Sequence, residues 1–192
     1  MKKLKDLINR NLTGSKVLVL FVLTNIIYAF MLIITIPKTM GFSNGMKLLD
    51  MMPTGYNFEY INTLFDTLGE KGREVYLYNQ IPVDMIYPFL FGISYCLLIA
   101  YFLKKLNKLN SPFFYLCLLP LVAGIADYFE NFGIISMLNS YPDLSLFSTT
   151  ATNIFTILKS MTTTIYMVAL IITLIVLGLK TIKRKTFTKE YG

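Results

Sequence analysis

Four ionisable residues lie inside, or at the edge of, long apolar segments of this sequence: Asp84, Asp127, Glu130 and Lys159. An ionisable side chain near the middle of a bilayer costs roughly 3 kcal/mol or more unless it finds a partner, so such residues mark candidate functional sites. Asp127, Glu130 and Asn131 stand at positions i, i+3 and i+4, which places their side chains on one helix face. The sequence therefore predicts one polar helix face that points into a helical bundle.

The charges of this predicted cluster do not balance. Lys159 is the single cation of the apolar segments, and it faces two or three acids. Either a second cation such as Arg73 enters the site, or one carboxyl group stays protonated. A carboxyl pair that shares a proton could act in acid/base chemistry or proton relay, whereas an uncompensated pair would attract a cationic ligand. The structural alternative is that a Lys159–Glu130 pair only fixes helix register.

Four apolar runs must position these residues, and they cover approximately 17–36, 84–103, 112–138 and 148–179. Each is long enough to cross about 30 Å of hydrocarbon at about 1.5 Å per residue. A composition of 55% hydrophobic and 15% charged residues leaves too little charge for the surface of a soluble domain. The sequence thus predicts an all-α membrane protein, a single membrane domain over 1–192 with four transmembrane helices in a bundle.

The basic residues flank the apolar runs and predict the orientation of the chain. The segments 1–16, 104–110 and 180–192 are rich in Lys and Arg, whereas the 139–148 connection has neither. Both tails, 1–16 and 180–192, are therefore expected in the cytoplasm and the chain in the inner cell membrane. This clustering argues against nucleic-acid binding despite a formal net charge of +7, since nucleic-acid binders spread basic residues over one surface. Membrane lipids are the expected partners of these residues.

Counting along the helices places the ionisable residues at one level of the membrane. They lie about 22 to 31 Å from the cytoplasmic ends of their spans, which is the outer leaflet. The 39–83 connection is then extracytoplasmic, and it is too long for a plain loop. Apolar residues at helical spacing predict a helix that Asn57 caps and Gly69 ends, followed by a second helix from Glu70 towards Pro82 that can continue into the second span through a proline kink. We expect a short helical cap over the polar level, either as an interfacial anchor or as a lid.

Three segments of the chain resemble a group of small bacterial four-span membrane proteins. In this sequence they read Met52-Pro-Thr-Gly-Tyr56, Leu68-Gly-Glu-Lys-Gly-Arg-Glu-Val-Tyr-Leu77 and Ala126-Asp-Tyr-Phe-Glu-Asn131. The resemblance covers most of the chain from the cap to the third span. It implies the four-span integral membrane fold and no particular activity.

The architecture is also similar to that of the emopamil-binding and sigma-2 receptor group. That group likewise has four spans, cytoplasmic termini, a long first outer connection and membrane-embedded acids around a lipid-like ligand. The present sequence departs from it because no acid ends the first span and the chain has no histidine. A sterol-isomerase role is therefore not expected.

The leading hypothesis is an outer-leaflet pocket that binds, or helps to move, an amphipathic or cationic lipid-like molecule. Its predicted site residues are Asp84, Asp127, Glu130, Asn131, Lys159 and Arg73. The second hypothesis is a membrane enzyme that uses paired carboxylates in acid/base chemistry on a lipid, although no nucleophile with an oriented base is visible. The third is a structural role, as an oligomer or as a subunit of a membrane complex, in which close helix contacts at Ala123 and Gly124 would serve assembly.

Metal and cofactor chemistry is not expected. Histidine, the commonest metal ligand and general base, is absent from the sequence. Cys96 and Cys117 lie in separate apolar runs and belong to no paired motif.

Overall fold

The computed structural model describes residues 2–190, with side chains for residues 3–183. Met1, Tyr191 and Gly192, at the ends of the two predicted tails, lie outside the described residues, as do the side chains beyond residue 183. The described part of the chain is helical and contains no strand.

Four helices are long and apolar enough to cross a membrane: Gly14–Met40, Phe58–Lys105, Pro112–Ser140 and Leu146–Lys183. We call them the first to fourth spans. Each contains one of the four runs identified in the sequence. The predicted fold class, an all-α membrane protein with four transmembrane helices, is confirmed.

The regular helices are α1 (Lys2–Arg10), α2 (Gly14–Met40), α3 (Phe58–Val75), α4 (Tyr87–Lys105), α5 (Leu119–Ser140) and α6 (Leu146–Glu190). The third span begins with a 3₁₀ segment, Pro112–Leu118, before α5. α2 packs on α4, α4 on α5 and α5 on α6, so α4 and α5 form the interior of the bundle. Large apolar side chains remain exposed on α2 and α6, as expected for helices that face lipid.

Two spans contain a π-helical turn just before a proline. The turn Met31–Thr35 precedes Pro37, and the turn Tyr76–Gln80 precedes Pro82. Proline has no N–H and its ring clashes with the carbonyl group four residues earlier, so a wider turn accommodates it without breaking the helix. The two turns lie side by side, because the Thr35 hydroxyl donates a hydrogen bond to the Gln80 side chain.

The segment 41–83 covers one end of the bundle, and we call it the cap. Asn57 caps α3 as expected, since its side chain accepts a hydrogen bond from the Tyr60 N–H at 2.8 Å. Ile61, Leu64 and Phe65 are fully buried in one apolar cluster with residues of α2 and α5. The apolar face of α3 therefore packs on the protein rather than lying in the membrane interface.

Gly69 interrupts the cap helix, as the sequence predicted, and the chain bends there. Its φ of 62° and ψ of −179° interrupt α3, which resumes at once and leads into the second span. The Arg73 guanidinium donates a hydrogen bond of 2.8 Å to the Phe65 carbonyl group, which lies on the other side of the bend. The cap helix α3 and the transmembrane helix α4 are thus parts of one bent helix, Phe58–Lys105.

Candidate functional site

An ion-pair cluster joins the third and fourth spans. The Lys159 ammonium group of α6 lies 3.2 Å from Asp127 Oδ1 and forms a second ion pair with Glu130, both on α5. Asp127 and Glu130 share one face of α5, as their i, i+3 spacing requires. The Glu130 side chain is completely buried and that of Asp127 nearly so. Because Lys159 has two carboxylate partners, its charge can be accommodated in the buried interior of the bundle.

Hydroxyl groups continue this cluster towards the cap. The Thr156 hydroxyl donates to Glu130 Oε1 at 2.8 Å, and the Tyr56 hydroxyl lies 3.2 Å from the Thr156 oxygen. Because the single Thr156 proton serves Glu130, Tyr56 is the donor to Thr156. Burial raises the pKa of Tyr56, which keeps its hydroxyl protonated for this role. The Tyr56 N–H also donates to Asn153 Oδ1 at 2.9 Å, so the cap is attached to α6.

Asp84 lies close to this cluster but has a different environment. It precedes α4 and is 3% exposed, and its Oδ2 atom has no hydrogen-bond partner among the described residues. Asn131 donates to the Asp84 backbone carbonyl group at 3.3 Å, while the Asn131 side-chain oxygen is also without a donor. Buried carboxylate oxygens are costly when unpaired. Asp84 is therefore a position that a hydrogen-bond donor or a cation would satisfy.

Asp84 lies on the wall of a cleft of about 440 Å³ between the first and fourth spans. Asp127 and Lys159 also line this cleft, and Met31 and Ile36 of α2 contribute an apolar wall. Lining residues on both outer helices are exposed, among them Tyr28 and Leu32 of α2 and Thr164 of α6. We infer from this that the cleft opens laterally, between α2 and α6.

The cap contributes a further carboxylate, that of Asp50, to the cleft. Asp50 accepts hydrogen bonds from the Tyr76 hydroxyl at 2.7 Å and from Gln80 Nε2 at 3.0 Å. Three carboxyl groups, those of Asp50, Asp84 and Asp127, thus line the cleft together with one ammonium group, which Glu130 also engages. The cleft has an acidic excess, which favours a cation.

The structure brings together five of the six residues that the sequence proposed for the site. Asp127, Glu130 and Lys159 are in direct contact, and Asp84 and Asn131 are joined by a hydrogen bond. Arg73 lies elsewhere, with its guanidinium group 4.5 Å from the centre of the Tyr141 ring. The bend at Gly69 holds it against Phe65 and the cap, so Arg73 is not the second cation of the cluster.

The residues that sequence reasoning missed are in the cap or next to it: Asp50, Tyr76, Gln80, Tyr56 as a hydrogen-bond donor, and Thr156. Tyr76 and Gln80 stand four residues apart, which is a pattern that could have indicated a shared helix face. Asp50 follows two buried leucines and lies in the single 3₁₀ turn Leu49–Met51, which is too short to give a periodic signal. Among the described residues, no group of three His, Cys, Asp or Glu side chains is arranged to hold a metal ion.

Comparison with protein-family models, curated proteins and solved structures finds no match for this chain. The class of protein follows from the fold alone, which is that of a four-span helical membrane protein with an acidic cleft in its wall.

Proposed function

We propose that this chain is a multi-pass protein of the inner cell membrane that binds, or helps to move, an amphipathic molecule with a cationic head group. The ligand occupies the lateral cleft between the first and fourth spans, with its head group at Asp84 and Asp50. Both termini are cytoplasmic, and the cap lies on the outer side.

The unpartnered Asp84 carboxylate is the observation that carries this proposal. Asp127 and Glu130 already have Lys159 as a partner, whereas Asp84 Oδ2 has no donor among the described residues. Hydrogen bonds to a charged group contribute about 1.5 to 3 kcal/mol each. A protonated amine at this position supplies both the positive charge and the donor, and a quaternary ammonium group supplies the charge.

The shape of the cleft supports a ligand that comes from the membrane. Its apolar wall on α2 suits a hydrocarbon chain, and its lateral opening lets such a molecule enter without leaving the bilayer. The carboxyl groups of Asp50, Asp84 and Asp127 provide the polar atoms for a cationic head group. This arrangement matches an amphipathic molecule better than a small hydrophilic ion.

The ion-pair cluster has a separate role in this proposal. Lys159 binds Asp127 and Glu130 across the α5–α6 interface, so the three residues hold the wall of the cleft in place. Their removal should alter stability first and ligand binding second. Substitution of Asp84 should instead alter ligand binding first and stability second, because its Oδ2 atom has no hydrogen bond within the protein to lose.

The test compares dodecylammonium, which has both a positive charge and N–H donors, with uncharged dodecanol, using the protein in phosphatidylcholine nanodiscs and subtracting binding to empty nanodiscs. The wild-type protein should bind the ammonium compound saturably and dodecanol much more weakly. Asp84→Asn should weaken ammonium binding by about tenfold or more. Glu74→Gln removes one exposed acid from the cap and is the matched control, with an expected change below about twofold.

Equal binding of dodecanol would contradict a cationic head group. Equal effects of Asp84→Asn and Glu74→Gln would remove Asp84 from the site. Circular dichroism of each variant confirms that the helical fold is retained, so that either result concerns binding.

The orientation is tested with single cysteines and a membrane-impermeant maleimide on intact cells. Cys96 and Cys117 are buried and should react slowly, so new exposed cysteines dominate the labelling. Glu70→Cys in the cap should react in intact cells, and Lys180→Cys only after the membrane is permeabilised. The reverse pattern would contradict the proposed orientation.

A further inference from the structure

A second groove lies at the other end of the bundle, between α1 and the spans. It has a volume of about 350 Å³, and its lining is almost entirely apolar. The lining comes from four helices, with Leu7 and Ile8 of α1, Leu20 of α2, Ile93 and Leu97 of α4, and Leu121 of α5. The groove shares no lining residue with the acidic cleft, although its residues Ile93 and Leu121 stand two residues from Phe91 and Ala123 of that cleft.

α1 covers this groove incompletely. Leu4, Leu7, Ile8 and Asn11 stand at i, i+3, i+4 and i+7 and form one helix face. Ile8 is 4% exposed and packs in the core, whereas Leu7 is 59% exposed at the groove. An apolar side chain left open beside an apolar groove is stabilised when another apolar group covers both.

The rim of the groove is positively charged. Lys16 lines it and is exposed, with its ammonium group 3.5 Å from Asn11 Oδ1. Lys3 and Arg10 stand four residues before and three residues after Leu7 on α1, so they flank the open side of the helix. The only acid in the segment 1–16 is Asp6, which is exposed and stands three residues after Lys3 and four before Arg10, so it neighbours these two cations on α1 and leaves Lys16 as the cation of the groove lining.

We propose that this groove is a binding site for an anionic glycerophospholipid, with one acyl chain in the groove and the phosphate group at Lys16. The apolar lining matches the chain, and the cationic rim matches the phosphate. Such a lipid would complete the packing of α1 on the bundle. The proposal does not depend on the function of the acidic cleft.

The absence of tryptophan from the chain allows a direct test. Leu7→Trp places a single fluorophore at the groove, and Phe113→Trp places one at an exposed position at the same end of the bundle, away from the groove lining. Each variant is reconstituted in phosphatidylcholine vesicles that contain a small fraction of brominated phosphatidylglycerol or brominated phosphatidylcholine. Bromine quenches tryptophan only at close range.

Leu7→Trp should reach half-maximal quenching at an approximately fivefold lower fraction of brominated phosphatidylglycerol than of brominated phosphatidylcholine, since one Lys near an anionic head group contributes about 1 kcal/mol. Phe113→Trp should show a clearly smaller preference. Lys16→Gln in the Leu7→Trp background should abolish the difference, whereas Lys16→Arg and the exposed Lys180→Gln should retain it.

Three results would overturn the proposal. The first is equal quenching of Leu7→Trp by the two lipids. The second is an equal effect of Lys16→Gln and Lys180→Gln, which would indicate a general attraction to the surface. The third is a Leu7→Trp side chain shielded from both lipids together with a dimer mass in native mass spectrometry, which would identify a second copy of the chain as the occupant.

Discussion

The Lys159 ammonium group lies 3.2 Å from the Asp127 carboxylate, and this contact crosses the interface between α5 and α6 in the apolar part of the bundle. Glu130 provides the second carboxylate partner of Lys159. Buried charges attract each other strongly, but each loses its hydration, so a complete buried cluster is not necessarily more stable than an apolar one. Loss of one member is costly, because the remaining charges are then buried without a partner.

Lys159→Met should therefore destabilise the protein by about 3 to 5 kcal/mol, since it leaves two carboxylates unpaired. The free energy of unfolding can be measured by titration with sodium dodecyl sulfate in mixed micelles. The matched control is the triple variant Lys159→Met, Asp127→Asn, Glu130→Gln, which removes all three charges and should be more stable than Lys159→Met alone. A triple variant that is less stable would contradict a charge-based account of the cluster.

Substitution of Asp84, unlike that of Lys159, should not lower the free energy of unfolding. Asp84→Asn removes a buried carboxylate oxygen that has no donor, and we expect stability to be unchanged or to rise by about 1 kcal/mol. Asp127→Asn, which leaves Lys159 with one partner, should lower stability in the same titration. A loss of stability in Asp84→Asn as large as that in Asp127→Asn would show that Asp84 is needed for folding rather than available for a ligand.

Much of the fold was predictable because membrane helices follow simple length and charge rules. Long apolar runs identified all four spans, and a count at a constant rise brought Asp84, Asp127, Glu130 and Lys159 to one level. The spacing of Asp127, Glu130 and Asn131 predicted their common face. These features depend on the geometry of single helices, so the linear sequence contains them.

The cap was less predictable because its residues are positioned by the path of the chain. Asp50 reaches the cleft only because the segment before α3 folds back beneath it and meets Tyr76 and Gln80. Arg73 was expected at the site, but the direction of the helix after Gly69 decides where it points. A bend at one glycine changes the position of all later cap residues, and no periodic pattern reports its angle.

Helix contact at Gly124 should be sensitive to a single methyl group. A Cβ atom on Gly124 would lie 2.7 Å from the Pro88 carbonyl oxygen, so Gly124→Ala would push α5 away from α4. We expect a loss of about 1 to 3 kcal/mol in the free energy of unfolding.

Gly178→Ala is the control, because nothing lies within 4 Å of its Cβ position. It should be neutral or stabilising by up to about 1 kcal/mol, as expected for alanine in a helix. Similar losses in the two variants would mean that close α4–α5 contact is not required.

The attachment of the cap to α6 can be tested with two glycines that have the same positive φ. Gly55 and Gly45 have φ values of +85° and +84°, so alanine at either position should cost about 1 to 2 kcal/mol in backbone strain. Only at Gly55 would the new Cβ atom also collide, with the Asn153 side-chain oxygen and with Ile157.

Gly55→Ala should therefore destabilise the protein more than Gly45→Ala, and it should break the hydrogen bond from the Tyr56 N–H to Asn153. Hydrogen exchange of the peptide that contains Tyr56, followed by mass spectrometry, should be faster in Gly55→Ala than in Gly45→Ala. Shortening the obstructing side chain in the double variant Gly55→Ala, Asn153→Ala should recover part of the lost stability, although exchange at Tyr56 stays fast because the acceptor is gone. Equal exchange in the two single variants would show that the cap is held to the bundle by its apolar cluster and not by Asn153.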